Sequence, residues 1–270
     1  MNTLRKAGAF LLRDYRIESG YKTSFIMRFF ESLILLVLFY FLGQLIAPDG
    51  SALLKRYSHG YFAFALIGLA FTRYFDLTLR MFSESIRQAQ VTGCLESMLS
   101  TQTGCVAVVL MSSLYGLLAG AVQLVLILGA GAALFGLDLS HMNLPATLLV
   151  FLLSISIFVS FGVLSAAMVV WLKKGDPFNL ILGAMASVMG GAFFPTDVMP
   201  GWMQKISALI PVSYSLDALR RTMLNGQSIA MVARPAAALL GMSAILLPLS
   251  LVIFTAVVRK GRKEGTLMEY

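Results

Sequence analysis

The strongest constraint on this chain is the recurrence of apolar runs long enough to cross a lipid bilayer. A hydrocarbon core about 30 Å thick takes about 20 residues of helix. Six runs of that kind stand out, roughly Phe25–Ile46, His59–Phe82, Cys105–Phe135, Leu144–Leu172, Phe178–Phe194 and Pro235–Val258. Lipid offers no partner to an unpaired N–H or C=O, so these runs read as helices that satisfy their own backbone. Composition agrees: 58% of the 270 residues are hydrophobic and 13% charged, where a soluble domain carries about a quarter charged. The expected fold is an all-α integral membrane protein, a single domain over residues 1–270 with six transmembrane helices. Asn143 before Leu144-Pro145, and Asp176 before Pro177, set a capping side chain and an early proline at helix starts. Pro248 lies inside the last run and predicts a kink there.

The 21 Lys and Arg exceed the 13 Asp and Glu, for a net charge of +8. In a membrane protein this surplus marks orientation, because basic residues collect in cytoplasmic loops. With the N-terminus inside, the inner set includes Arg5, Lys6, Arg13, Arg16, Lys173, Lys174, Arg259, Lys260, Arg262 and Lys263. The smaller outer set includes Lys55, Arg56, Lys205, Arg220, Arg221 and Arg234. Both termini are therefore expected in the cytoplasm, with residues 259–270 as a cytoplasmic tail, and no nucleic-acid partner is needed to explain the charge. Cys94 and Cys105 have no CxxC spacing and are expected as reduced thiols. His59 and His141 lie far apart, so no metal site is expected. The basic N-terminus lacks a signal-peptide core and cleavage site.

Three segments are too polar to span. Residues 1–24 alternate Leu4, Ala7, Leu11, Leu12 and Tyr15 with Arg5, Lys6, Arg13 and Arg16, as in a helix lying at the inner interface against anionic headgroups. It serves either as an anchor or as a docking surface. Residues 83–104 carry an interrupted apolar set, Ile86, Val91, Leu95, Met98 and Leu99, with Arg87 and Glu96 among polar neighbours, and read as a short cytoplasmic helix-turn-helix. Residues 195–234 open with Pro195, which cannot continue the fifth helix. Met199–Leu209 and Ser213–Leu224 then have amphipathic spacing, the second with Leu216, Leu219 and Met223 on one face and Asp217, Arg220 and Arg221 off it. This predicts a re-entrant helical hairpin at the outer side between spans five and six, either a lid over an exit path or a pair of interfacial helices.

Two of these segments resemble a known family. The run GCLESMLST, with Gly93, Leu95, Glu96, Met98, Leu99 and Thr101, is similar to the cytoplasmic loop of type-2 ABC-transporter permeases, with Cys94 and Gln102 where Thr and Pro are usual. Gly190, Gly191, Phe194, Pro195, Asp197, Pro200, Trp202, Pro211, Tyr214, Asp217 and Arg220 follow the order and spacing of the same family after its fifth span. The resemblance implies an exporter subunit in a bacterial inner membrane. It would work as two copies of this chain with two copies of a separate ATPase that binds ATP and Mg. The chain itself has no G-x-x-x-x-G-K-[ST] phosphate cradle and is expected to bind no cofactor. The 83–104 segment then becomes a coupling helix, with Arg87, Gly93, Glu96 and Leu99 as the handle for the ATPase.

Candidate path or gate residues are Phe194, Pro195, Pro200, Trp202, Pro211 and Tyr214 in the outer segment, together with Arg73, Asp76 and Arg80 in the second span. The spacing of the last three sets Asp76 between two arginines on one helix face, where the charges can neutralise one another. They either contact a substrate headgroup or form a structural ion pair. Gly183, Ser187 and Gly191 recur every four residues in the fifth span and offer a small-residue face for a dimer seam; Gly116 and Gly120 form a second such face, and packing within the chain accounts for either equally well. No Ser/His, paired-Asp or HExxH arrangement supports an intramembrane enzyme, so no catalytic residue is assigned. The expected cargo is a drug, lipid or lipid-linked glycan. The alternative is a channel or ion-coupled secondary transporter acting alone, for which Asp76 is the candidate coupling carboxylate.

Overall fold

The computed structural model describes residues 3–19, 22–46, 60–93, 104–172 and 177–264. They form α1 (Thr3–Ser19), α2 (Lys22–Ile46), α3 (Gly60–Val91), α4 (Cys105–Ser112), α5 (Leu114–Phe135), α6 (Leu144–Leu172), α7 (Pro177–Met189), α8 (Gly201–Ser207), α9 (Pro211–Met223) and α10 (Ala233–Glu264), with a 3₁₀ turn at Thr196–Val198 before α8. Four stretches are long and apolar enough to cross a membrane: Gly60–Val91, Cys105–Phe135, Leu144–Leu172 and Ala233–Lys263. The first and fifth expected spans have shorter apolar helices, Phe30–Leu45 within α2 and Pro177–Met189.

α3 is the hub, and α2, α5, α6, α7 and α9 all pack on it. Every residue from Ala63 to Thr72 is buried, the all-round burial expected of a helix enclosed by others. Aromatic rings fill the α3–α6 seam, with Phe75 edge-on to Phe158 at 5.0 Å and Phe71 to Phe151 at 5.8 Å. Gly116 and Gly120 of α5 lie against Met81, Leu77 and Tyr74 of α3, so this small-residue pair serves close packing inside the chain. Thr72 and Thr78 return their hydroxyl protons to the carbonyls of Gly68 and Tyr74, so neither hydroxyl is left bare in the core. α3, α6 and α7 also share a buried knot. Ser165 Oγ donates to Asn179 Oδ1 at 2.6 Å, and Asn179 Nδ2 donates to Ser83 Oγ at 2.9 Å.

The start of α6 follows its expected capping residue. Asn143 Oδ1 accepts from the Ala146 N–H at 3.2 Å, and the Asn143 N–H donates to Thr222 O, tying the start of α6 to the end of α9. Pro177 opens α7, while Asp176 lies outside the described residues. α10 runs through Pro248 as one helix. α1 packs against α4 and α5, with Tyr15 edge-on to Tyr115.

Three boundaries differ from the sequence expectation. Of the helix-turn-helix expected over 83–104, the first helix is the end of α3, which runs unbroken through Ser83–Val91 to a turn at Thr92 and Gly93, and residues 94–103 lie outside the described residues. Phe82, Ile86 and Ala89 keep helical spacing and bury against Val163, Ala166, Phe254 and Val258, so the helix has a packing reason to go on. Gly93 then stops it at φ +68, a conformation that favours glycine. The third run is broken at Ser113, where the Ser112 and Ser113 hydroxyls both bond the Val109 carbonyl. The fifth run, expected to reach Phe194, ends at Met189; its 13 residues rise only about 20 Å.

A buried arginine holds that short helix's end. Gly191 turns the chain at φ +73, and the carbonyls beyond a helix C-terminus have no partners within the helix. Arg220 of α9, 3% exposed, supplies them: Nη1 donates to Gly191 O at 2.8 Å and Nη2 to Ala192 O at 2.7 Å. Nε and Nη2 also donate to Phe64 O of α3 at 3.2 and 3.0 Å, and the guanidinium carbon lies 3.4 Å from the centroid of the Phe64 ring. A cation at this end also suits the α7 dipole. Gly68 makes room, since a Cβ there would collide with Ala192 O and Arg220 Nη2. Contrary to expectation, Arg220 is on the buried face of α9 with Leu216, Leu219 and Met223.

Replacing Arg220 with Ala strands two buried carbonyls and is expected to cost about 3 kcal/mol or more, and Arg220→Lys, which lacks the planar fork, about half as much. Arg221→Ala breaks only the half-exposed Arg221–Asp217 pair and is expected to cost under about 1 kcal/mol. Thermal unfolding of the detergent-solubilised proteins checks the order; equal midpoints for the Arg220→Ala and Arg221→Ala variants would contradict it.

Candidate functional site

Two polar cavities flank α3. The first, about 310 Å³, lies under the hairpin formed by the 3₁₀ turn, α8 and α9. Prolines shape its walls: Pro195 precedes the 3₁₀ turn, Pro200 precedes α8 and Pro211 begins α9, where a missing N–H costs no helix bond. Side chains then stitch the hairpin to its own backbone. Gln204 Nε2 donates to Met199 O at 2.9 Å, Ser213 Oγ to Ser207 O at 3.0 Å and Tyr214 Oη to Ala208 O at 2.9 Å. Arg220 contributes to the lining beside Asp217 and Arg221, which pair across one helical turn at 2.8 Å.

Of the residues expected in this region, Pro195 and Tyr214 line the cavity and Pro211 is buried at the root of α9. Phe194 is half-buried, while Pro200 and Trp202 face outward. Val198, Trp202 and Leu209 are all more than half exposed, giving the hairpin an apolar outer surface of the kind that meets lipid or another protein.

The second cavity, about 320 Å³, lies between α2, α3 and α5 and is lined by Glu31, Arg73, Asp76, Arg80 and Gln123 among apolar residues. Here Arg73, Asp76 and Arg80 share one cavity, and the charges of both arginines act on Asp76. Arg73 reaches across to α2 and pairs with Glu31 at 2.8 Å, a partner 42 positions away that helical spacing alone cannot supply. Asp76 instead directs Oδ1 at Gly183 of α7, whose missing Cβ leaves space for it. Among the described residues, Asp76 makes no hydrogen bond or salt bridge with either arginine. Sequence reasoning missed Glu31 and Gln123; a carboxylate inside the first apolar run was the available signal for Glu31.

The other assigned residues are dispersed. Arg87 is exposed on the last turns of α3 and Gly93 ends that helix, whereas Glu96 and Leu99 lie outside the described residues. Gly183 is buried against Asp76 of the same chain, and Gly191 belongs to the turn held by Arg220. Ser187 is half-buried, and Leu180, Ile181 and Val188 form the exposed side of α7. For Arg220, the overlooked signal was its spacing: positions 216, 219, 220 and 223 make one helical stripe.

If Arg73–Glu31 is a packing contact, exchanging its charges restores it. Arg73→Glu and Glu31→Arg are each expected to lower the unfolding midpoint, and the double exchange to recover most of the loss, with a coupling energy on the order of 0.5–3 kcal/mol. Additive losses in the double variant would show that the pair does not act as a unit.

No curated protein gives a match. The family model described as ABC-2 type transporter matches residues 9–224, a span that contains the α3 hub, both cavities and the hairpin through α9. With its apolar membrane-length helices, this is a multi-pass membrane protein and a transport subunit, of a kind that normally works with an ABC ATPase. The chain belongs to the ABC-2 type transporter family.

Proposed function

We propose that the chain is the membrane-spanning permease subunit of an ATP-driven exporter in a bacterial inner membrane, with both termini cytoplasmic. Two copies form the path, two copies of a separate ATPase supply the energy, and the cargo is a hydrophobic or amphipathic molecule moved outward. The family match over residues 9–224 carries this reading, because it covers both the 83–104 segment and the outer hairpin. The exposed end of α3 with Arg87, continued toward Glu96, suits a handle that a closing ATPase can pull. Because α3 is one helix through Val91, a push at that end reaches the Asp76 cavity along a rigid rod. The hairpin, braced on the truncated α7, suits an outer gate. The exposed Leu180, Ile181 and Val188 of α7 and the apolar surface of α8 suit a seam with a second copy.

In sealed vesicles, outward transfer of a labelled amphiphile is expected only when an ABC ATPase and ATP accompany the protein; transfer by the chain alone would refute the exporter reading. Charge reversal by Glu96→Lys is expected to cut transport per ATP hydrolysed by about tenfold, the scale of one charge-assisted contact, while insertion is unchanged. Unaltered coupling would move the ATPase contact elsewhere, with α1 as the next candidate.

A further inference from the structure

The Asp76 cavity is built unlike the other ion pairs of this protein. Asp217 and Arg221 stand four residues apart on α9, carboxylate first, and close to 2.8 Å. Asp76 and Arg80 have the same spacing and order on α3 and line one cavity, yet among the described residues no hydrogen bond or ion pair joins them. Asp76 Oδ1 instead lies in the space that a Cβ on Gly183 of α7 would take, and the third charge, Arg73, pairs with Glu31. The result is a carboxylate and a guanidinium held apart at the edge of one polar space, with Gln123 as an uncharged donor and acceptor beside them. Asp76 lies within the apolar stretch of this membrane-length helix, where an ionised side chain costs at least about 2.5 kcal/mol on insertion scales and usually serves a ligand, and Arg80 stands exposed at the edge of that stretch. Closing the pair on itself would offset part of that cost. Leaving it open favours a molecule that brings the complementary charges.

The rest of the lining indicates what such a molecule looks like. Leu77, Leu124 and Ile127 share the cavity with the charged groups, so one wall is apolar and one polar. The flanking faces of α2 and α5 are exposed and apolar at Phe30, Ile34, Val122 and Val125, which in a bilayer face acyl chains. The described charged groups of the cavity, Glu31, Arg73, Asp76 and Arg80, sum to zero, so a ligand with only one sign of charge leaves one of the two open groups unmatched. We propose that this cavity is a headgroup site for a zwitterionic amphiphile, with Asp76 receiving a cationic amine or ammonium, Arg80 receiving a phosphate, and the tail lying along Leu77, Leu124 and Ile127 toward lipid. This rests on the reading of the chain as a membrane permease and names the class of its cargo or of a resident lipid; its test requires no transport.

The full chain, purified in an uncharged maltoside detergent, is titrated with three tailed probes of different headgroup charge, dodecylphosphocholine, dodecyltrimethylammonium and dodecyl phosphate, and with phosphocholine without a tail. Binding is read by calorimetry and native mass spectrometry. Dodecylphosphocholine is expected to bind at one site at least about tenfold more tightly than any of the other three, and Asp76→Asn and Arg80→Gln are each expected to remove that preference. Arg221→Gln, in the other cavity, is expected to leave it intact. Weak binding by phosphocholine alone assigns the site to an amphiphile, whereas equal binding by the tailless and tailed probes would overturn that assignment. Equal affinities for the zwitterionic and single-charge tailed probes, or unchanged binding in both variants, would overturn the proposal. Should Asp76→Asn fail to fold, judged by its elution and unfolding midpoint, Arg80→Gln and the probe series still decide. Intact selectivity in a protein that shows no ATP-driven transport would instead refute the exporter reading and leave this site standing.

Discussion

The guanidinium of Arg220 is the contact on which the outer half of this protein depends. α7 stops after 13 residues, and the chain beyond it must present backbone carbonyls to an interior where water is scarce. Four hydrogen bonds from one side chain to Phe64, Gly191 and Ala192 meet that need and at the same time bind α7, α3 and α9 together. A planar fork that keeps its charge is suited to this task, and a point charge on a flexible stem is not. Gly68 and Gly191 are consequences of the same contact: one clears the approach of the guanidinium, the other turns the chain toward it.

Seen from that contact, the polar groups of the interior fall into two kinds. Arg220, the Ser165–Asn179–Ser83 knot and the threonines of α3 are matched within the chain, and they lock helices whose apolar surfaces alone would slide. The Asp76 cavity departs from this pattern because, among the described residues, no hydrogen bond or ion pair joins its carboxylate to Arg80. Both kinds are carried by α3, which also extends past the apolar core of its span to the exposed Arg87. A single helix therefore touches the outer clamp, the charged cavity and the end nearest the proposed ATPase contact, a suitable layout for transmitting force without a chain of soft joints.

Much of the architecture was legible in the sequence because bilayer thickness and helix capping are local rules. The third, fourth and sixth runs appear where apolar length placed them, Asn143 caps α6, and Pro195, Pro200 and Pro211 punctuate the outer hairpin. What sequence could not supply came from partners distant along the chain. Helical spacing offered Arg73 the nearby Asp76, but tertiary packing gave it Glu31, and Asp76 went to the gap left by Gly183. The expected break after Phe82 failed because Ile86 and Ala89 found cover on α6 and α10. Arg220 was read as a surface charge, since a basic residue in an apolar stripe carries no outward sign of the three carbonyls that await it.

Amide hydrogen exchange on the membrane-reconstituted protein, comparing the native chain with the Arg220→Gln variant, tests this account most directly. If Arg220 is the clamp, amides of residues 190–210 exchange much faster in the variant while the α6–α10 seam keeps its protection. Unchanged exchange in that stretch, or equal loosening of the whole bundle, would contradict the claim that one side chain holds the outer hairpin to the central helix.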